Sequence, residues 1–200
     1  MAPLTVIYRI WDVWILSWIV AGIWSARTIA RPLALSQAWR DAIAFAGALI
    51  LFNFSAPAGA PGGGVRATLL APLWLPPAPL AWAFVGLTAA GLGFCWWARL
   101  RLGPLWSGVT ALKAGQTVVD TGPYALVRHP IYTGMLTGLA AMALLKGTLA
   151  ALIGLALAAA GLWLRARLEE RFLRAELGAD AYDAYSRRTP MLVPFVTRGR

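Results

Sequence analysis

Two stretches of this 200-residue chain carry most of the side chains able to do chemistry. The first runs from Thr121 to Gly134 and holds Tyr124, Arg128, the only histidine (His129), Pro130, Ile131 and Tyr132. The second lies at the end of a later apolar run and contains Arg165, Glu169 and Glu170. Thr121-Gly122-Pro123-Tyr124 is turn chemistry. Pro130 suits the first position of a helix, with His129 flanking it. A helix start presents unpaired N–H groups and a partial positive charge, and so suits a carboxylate or another anion. Tyr132 lies near His129 and can share its face. His129 suits a structural hydrogen bond as readily as catalysis. Arg165 and Glu169 are i,i+4 and face the same way. Arg165 sits just past apolar sequence, where a charge is a candidate for function. Arg167, Arg171 and Arg174 fit charged heads reaching up to lipid headgroups.

The elements that position these residues follow from composition. The chain is 60% hydrophobic and 13% charged, with 11 tryptophans. A soluble domain of this size rarely carries so little charge, and disorder is excluded by the hydrophobicity. The expectation is one integral membrane domain over 1–200. A net charge of +10 accompanies charges that border apolar segments, and no nucleic-acid-binding motif is present. Anionic lipid headgroups are therefore the expected partner, and nucleic acid is not. Cys95 is the only cysteine, which excludes an internal disulfide and a cysteine zinc cluster. No metal site is expected. The first apolar run has no basic region before it and no clear cleavage site, so it reads as a retained span.

The predicted fold is all-α and polytopic, with about five transmembrane helices over 6–24, 41–56, 78–98, 130–145 and 148–166. Residues 1–100 hold three spans, and 113–195 hold the chemistry. Lys146-Gly147 joins the last two spans into an antiparallel hairpin. Gly134 and Gly138, with Ala150, Gly154, Ala158 and Gly161, would bring those two helices close together. Residues 56–64 read as a flexible loop. Only Arg9, Arg66 and Lys146 fall on the outer side if the amino terminus is outside, and every other lysine and arginine falls inside. The positive-inside rule selects that orientation and places both polar patches on the cytoplasmic face. Beyond Gly178, a short amphipathic tail carries Tyr182 and Tyr185 as interfacial anchors and could cover the site from the cytoplasm.

The set G-P-Y-x-x-x-R-H-P-x-Y-x-G, R-x-x-x-E-E and G-x-x-x-Y-x-x-Y resembles the isoprenylcysteine carboxyl methyltransferase family over 113–195. Related patterns occur in phospholipid N-methyltransferases and membrane sterol reductases. The resemblance implies S-adenosylmethionine as methyl donor and an amphiphilic carboxylate, entering from the bilayer, as acceptor. It implies cofactor contacts at Gln116, Thr117, Val118, Val119, Tyr124, His129, Pro130, Ile131, Tyr132 and Glu169. It also implies that Arg165 holds the substrate carboxylate. The first position of that loop is often histidine in eukaryotic members and is Gln116 here. The competing readings are an amino-phospholipid N-methyltransferase, an NADPH-dependent membrane reductase and a non-catalytic scaffold. The Ala-, Arg- and Trp-rich composition points to a prokaryotic inner membrane.

Overall fold

The computed structural model describes residues 1–24, 27–30, 32, 34–53, 64–108, 110–113 and 117–196. Eight α-helices dominate them. They are α1 (Pro3–Ala21), α2 (Ala34–Asn53), α3 (Val65–Leu70), α4 (Ala78–Leu102), α5 (Pro123–Leu126), α6 (Pro130–Lys146), α7 (Leu149–Leu177) and α8 (Ala179–Arg188). One small antiparallel pair, β1 (Thr28–Ala30) with β2 (Leu112–Lys113), departs from the all-α expectation. It ties the segment after α1 to the segment after α4 by backbone hydrogen bonds. Periodicity cannot reveal so short a ladder.

Pro3, Pro130 and the Pro77-Ala78-Pro79 run open α1, α6 and α4, where a missing N–H is harmless. Thr148 caps α7 by accepting from the Ala151 N–H. Gly147 ends α6 in a left-handed conformation at φ 60°, which a β-carbon resists. Pro3–Ala21, Ala78–Leu105 and Leu149–Leu177 are long and apolar enough to cross a membrane, by length and composition. α2 is 20 residues long but carries Arg40 and Asp41, and α6 has 17 residues. α2 begins earlier than the predicted 41–56. The loop expected at 56–64 lies outside the described residues except for Gly64.

The small residues pack differently from the expectation. Gly134 and Gly138 of α6 face α4 and α1 rather than α7. A β-carbon at Gly134 would stand 2.3 Å from the Gly91 carbonyl oxygen and 2.6 Å from the Cys95 sulfur. One at Gly138 would stand 3.0 Å from the Trp11 ring. Gly154 and Gly161 of α7 face α2. Their β-carbons would meet the Gly47 carbonyl oxygen at 2.8 Å and the Ala44 nitrogen at 2.4 Å. Small residues mark where backbones approach, but they do not name the neighbouring helix. α4–α6 and α2–α7 are thus the close pairs, and α6 and α7 contact each other less extensively.

Two buried cations close helix ends. Arg99 is fully buried and donates to the carbonyls of Ala21 (2.7 Å), Trp24 (2.6 Å) and Gly103 (2.6 Å). Lys146 donates to the Leu51 carbonyl and to the Tyr8 hydroxyl. The last carbonyls of a helix are short of intrahelical donors, so each cation adds a charged donor where the backbone supplies few. Arg99 thereby joins the ends of α1 and α4. Lys146 joins α6 to the end of α2.

The packing predicts that Gly134→Val lowers stability by about 1–3 kcal/mol through overpacking against α4. Gly93→Ala, where a β-carbon meets nothing within 4 Å, leaves it unchanged or raises it slightly. Thermal unfolding of the detergent-solubilised variants checks both.

Candidate active site

One cavity of about 450 Å³ is lined by α1, the end of α4, α5, the start of α6, the second half of α7 and α8. Its volume falls in the range of small-molecule sites. Thr117, Val118, Val119, Tyr124, His129, Pro130, Ile131, Tyr132, Arg165 and Glu169 all line it. Local rules bring them there: the turn at 121–124 leads through α5 into the proline-opened α6, and i,i+4 spacing puts Arg165 and Glu169 on one face of α7. Gln116 lies outside the described residues.

Tyr132 is the centre of the polar wall. Its hydroxyl donates to Oε2 of Glu169 at 2.8 Å and accepts from Nε of Arg165 at 2.9 Å. Nη1 of Arg165 donates to Oδ1 of Asp41 on α2 at 2.8 Å, and Nη2 donates to the Gly108 carbonyl. Three of the five guanidinium N–H groups are therefore committed, and two remain for a ligand. The Arg165 side chain is 17% exposed. Asp41 stands behind Arg165 and is not part of the cavity wall.

Glu170, next to Glu169, does something else. Its Oε1 accepts from Nε of Arg128 at 2.7 Å and from Nε2 of His129 at 3.2 Å. That contact makes Nε2 the protonated ring nitrogen. The His129 ring also stacks on Tyr132, with centroids 5.3 Å apart. Arg128 reaches on to the carbonyls of Ser186 (2.9 Å) and Thr189. The backbone N–H groups of Arg128 and His129 donate to the carbonyls of Pro190 (2.8 Å) and Met191 (3.1 Å). Thr133 Oγ1 donates to the Leu192 carbonyl at 2.6 Å. Residues 186–192 are thus strapped across the start of α6. His129 lines the cavity, while its Nε2 edge is spent on Glu170.

The tail differs from the interfacial-anchor expectation. Tyr182 and Tyr185 are buried and line the cavity, and the Tyr185 hydroxyl donates to the Tyr124 carbonyl at 2.7 Å. Burial pushes both hydroxyls well above the usual phenol range, so they stay neutral donors. Arg174, expected at headgroup level, makes a bidentate pair with Asp183 at 2.7 Å for each bond. That guanidinium holds the Asp183 carboxyl below the usual carboxylate range.

The apolar wall was missed at the sequence level. Trp14 and Trp18 of α1, stacked with centroids 4.6 Å apart, and Trp106 after α4 line it with Met135 and Leu162. The signal was present: Trp11, Trp14 and Trp18 follow helical spacing on one face. Asp41 carried no such signal, because its partner lies on another helix.

Residues 84–175 match the model of the isoprenylcysteine carboxyl methyltransferase family. The chain is 30% identical over 157 residues to the cobalt-zinc-cadmium resistance protein CzcN of Cupriavidus metallidurans, over 78% of this chain and 62% of that one. It is 31% identical over 125 residues to the nickel-cobalt-cadmium resistance protein NccN of Alcaligenes xylosoxydans xylosoxydans, over 60% of this chain and 52% of that one. The chain thus spans less than two thirds of the length of these curated relatives. Among the described residues no group of three or more His, Cys, Asp or Glu side chains is placed to hold a metal ion.

The strap generates a test that needs no ligand. Glu170→Gln removes the charge that Arg128 and His129 share, and hydrogen bonds to charged groups are worth about 1.5–3 kcal/mol. Amide exchange at Arg128 and His129 is expected to accelerate by roughly tenfold or more, with the centres of α4 and α6 unaffected. Hydrogen-exchange mass spectrometry reads both regions.

Proposed function

We propose that this protein is a membrane methyltransferase, a reading supported by the match of residues 84–175 to the model of the isoprenylcysteine carboxyl methyltransferase family. It uses S-adenosylmethionine and acts on the carboxylate of a lipid-like or isoprenylcysteine-type acid. The observation that carries the reading is the convergence of ten sequence-selected residues on one cavity, which tryptophans of α1 also line. In this reading α1, α2, α4, α6 and α7 are the spans. The amino terminus is outside, and the cavity opens at the cytoplasmic face.

The donor set suits the cofactor. Glu169 offers a carboxylate to an ammonium or ribose hydroxyl, and Val118, Val119, Ile131 and Leu173 offer apolar surface beside Tyr124. When bound, S-adenosylmethionine supplies an electrophilic methyl group on a sulfonium. Arg165 orients the acceptor carboxylate through its two uncommitted N–H groups, and Asp41 and Tyr132 hold the guanidinium plane still. A carboxylate is already ionised at pH 7, so no side chain has to remove a proton. His129 accordingly shapes the cavity and anchors the strap. What the chain contributes is alignment and exclusion of water, where well-oriented reactants gain roughly 7–11 kcal/mol. The tryptophan wall of α1 receives the apolar part of the acceptor, which enters from the bilayer.

The relatives named for metal resistance are compatible with this chemistry if methylation of a membrane-associated acid contributes to such a phenotype. An amino-phospholipid N-methyltransferase is less well suited. Its amine must lose a proton, and the cavity's acidic residue, Glu169, is already held by Tyr132 beside Arg165.

Titration calorimetry with S-adenosylhomocysteine in detergent is expected to give saturable binding that Glu169→Gln weakens by about tenfold or more. Radiolabelled methyl transfer to N-acetyl-S-farnesylcysteine or to host lipid extract is expected to yield a product hydrolysed by mild alkali. An alkali-stable methylamine would overturn the carboxylate assignment. Arg165→Ala is expected to abolish transfer with homocysteine-product binding nearly intact. Asp41→Asn should raise the acceptor KM more than it lowers kcat. Equal losses in cofactor affinity for Asp41→Asn would contradict a role exerted through Arg165.

A further inference from the structure

We propose that Arg40, Arg167 and Arg171 form a binding site for the phosphate headgroup of an anionic membrane lipid, separate from the cavity described above. Arg40 comes from α2 and the other two from α7, one of the closely packed helix pairs. With Trp163, Leu164 and Leu168 they line a concavity of about 70 Å³. That is room for a compact tetrahedral anion and little more. Trp163, Arg167 and Arg171 follow one another at i, i+4 and i+8, so they share a face of α7. Arg165 and Glu169 leave the same helix toward the cavity. One helix thus serves two sites on different faces.

The charges at this face are unbalanced. Arg165 is matched by Asp41, Arg128 by Glu170, Arg174 by Asp183 and Arg188 by Asp120. Arg40, Arg167 and Arg171 take no carboxylate among the described residues. Nη1 of Arg40 is buried and has no hydrogen-bond partner. A guanidinium donor removed from water with nothing to donate to is costly, and three cations converging on one concavity add repulsion. An anion with several acceptor oxygens relieves both penalties, and phosphate matches the guanidinium fork.

The surroundings select a lipid as the source. Arg40 lies over the Trp39 ring at 4.3 Å and Arg167 over the Trp163 ring at 5.1 Å. Trp39 and Trp163 are 43% and 44% exposed, as indoles at a membrane–water boundary are. Leu164 and Leu168 make the remaining lining apolar, and α7 is itself long and apolar enough to span. Basic concavities between membrane helices at the cytoplasmic level hold anionic headgroups.

The test uses the full chain in nanodiscs of phosphatidylcholine, with or without phosphatidylglycerol, and native mass spectrometry after release. Wild type is expected to retain phosphatidylglycerol in a defined stoichiometry. The triple variant Arg40→Gln/Arg167→Gln/Arg171→Gln is expected to lose roughly a hundredfold in affinity, each arginine contributing a share. Arg9→Gln, on exposed α1 surface away from the concavity, is expected to retain the lipid as wild type does. If the triple variant does not fold, Arg171→Gln alone is expected to reduce retention by about fivefold. Equal retention by wild type and the arginine variants would overturn the site. So would equal loss in Arg9→Gln. Displacement of the lipid by millimolar inorganic phosphate, with no dependence on the acyl chains, would overturn its assignment to a lipid.

Discussion

The close approach of helix backbones is the constraint on which the remaining structure depends. α6 lies against α4 at Gly134–Gly91, and α7 lies against α2 at Gly154–Gly47 and Gly161–Ala44, with no space for additional β-carbons. In an apolar surrounding, burying more hydrocarbon gains little, and dense packing between small residues supplies the association. These contacts fix the depth and rotation of α7 relative to α2, and of α6 relative to α4. The cavity sits where the two pairs meet. A shift of either pair would separate Tyr132 on α6 from Arg165 and Glu169 on α7, and Arg165 from Asp41 on α2. The hydrogen bonds of 2.8–2.9 Å joining them therefore depend on Gly134, two residues beyond Tyr132, and on Gly161, about one turn before Arg165.

Buried cations complete that frame. Arg99 binds the last carbonyl of α1, at Ala21, and those of Trp24 and Gly103 just beyond α1 and α4, within a cage that includes the Trp24 and Trp106 rings. Its charge is spent on backbone dipoles rather than on a carboxylate. The consequence reaches the cavity, because the segment that Arg99 secures leads to Trp106 and Gly108, which line it, and the Gly108 carbonyl accepts from Arg165. Trp106 in turn packs edge-on against Trp18, and Trp18 stacks on Trp14. The apolar wall is thus held at one end by a cation and at the other by the first helix.

Much of the site was legible in the sequence because its rules are local. A proline-opened helix after a turn and an i,i+4 pair at the end of an apolar run place Tyr132, Arg165 and Glu169 without knowledge of tertiary structure. The helices were legible for the same reason. Local rules do not say which helix a small-residue face will meet, and the expectation for Gly134 and Gly154 failed there. They also do not reveal that Asp41, far away in the chain, stands behind Arg165, or that Tyr182 and Tyr185 turn inward. Those facts depend on long-range packing, and a β1–β2 pair this short leaves no periodic trace.

The adjacent acids Glu169 and Glu170 show how one helix turn separates two tasks. Successive residues on a helix point about 100° apart, so neighbours can be turned to different surroundings. Glu169 faces the cavity and takes the Tyr132 hydroxyl. Glu170 faces the start of α6 and takes Arg128 and His129. The backbone of those same two residues receives the strap at Pro190 and Met191. Holding the tail and shaping the cavity therefore both fall to residues 128–132, while the carboxylate facing the cavity, Glu169, takes no part in holding the tail. His129, stacked on Tyr132 and bonded to Glu170, touches both the polar wall and the residues that hold the tail.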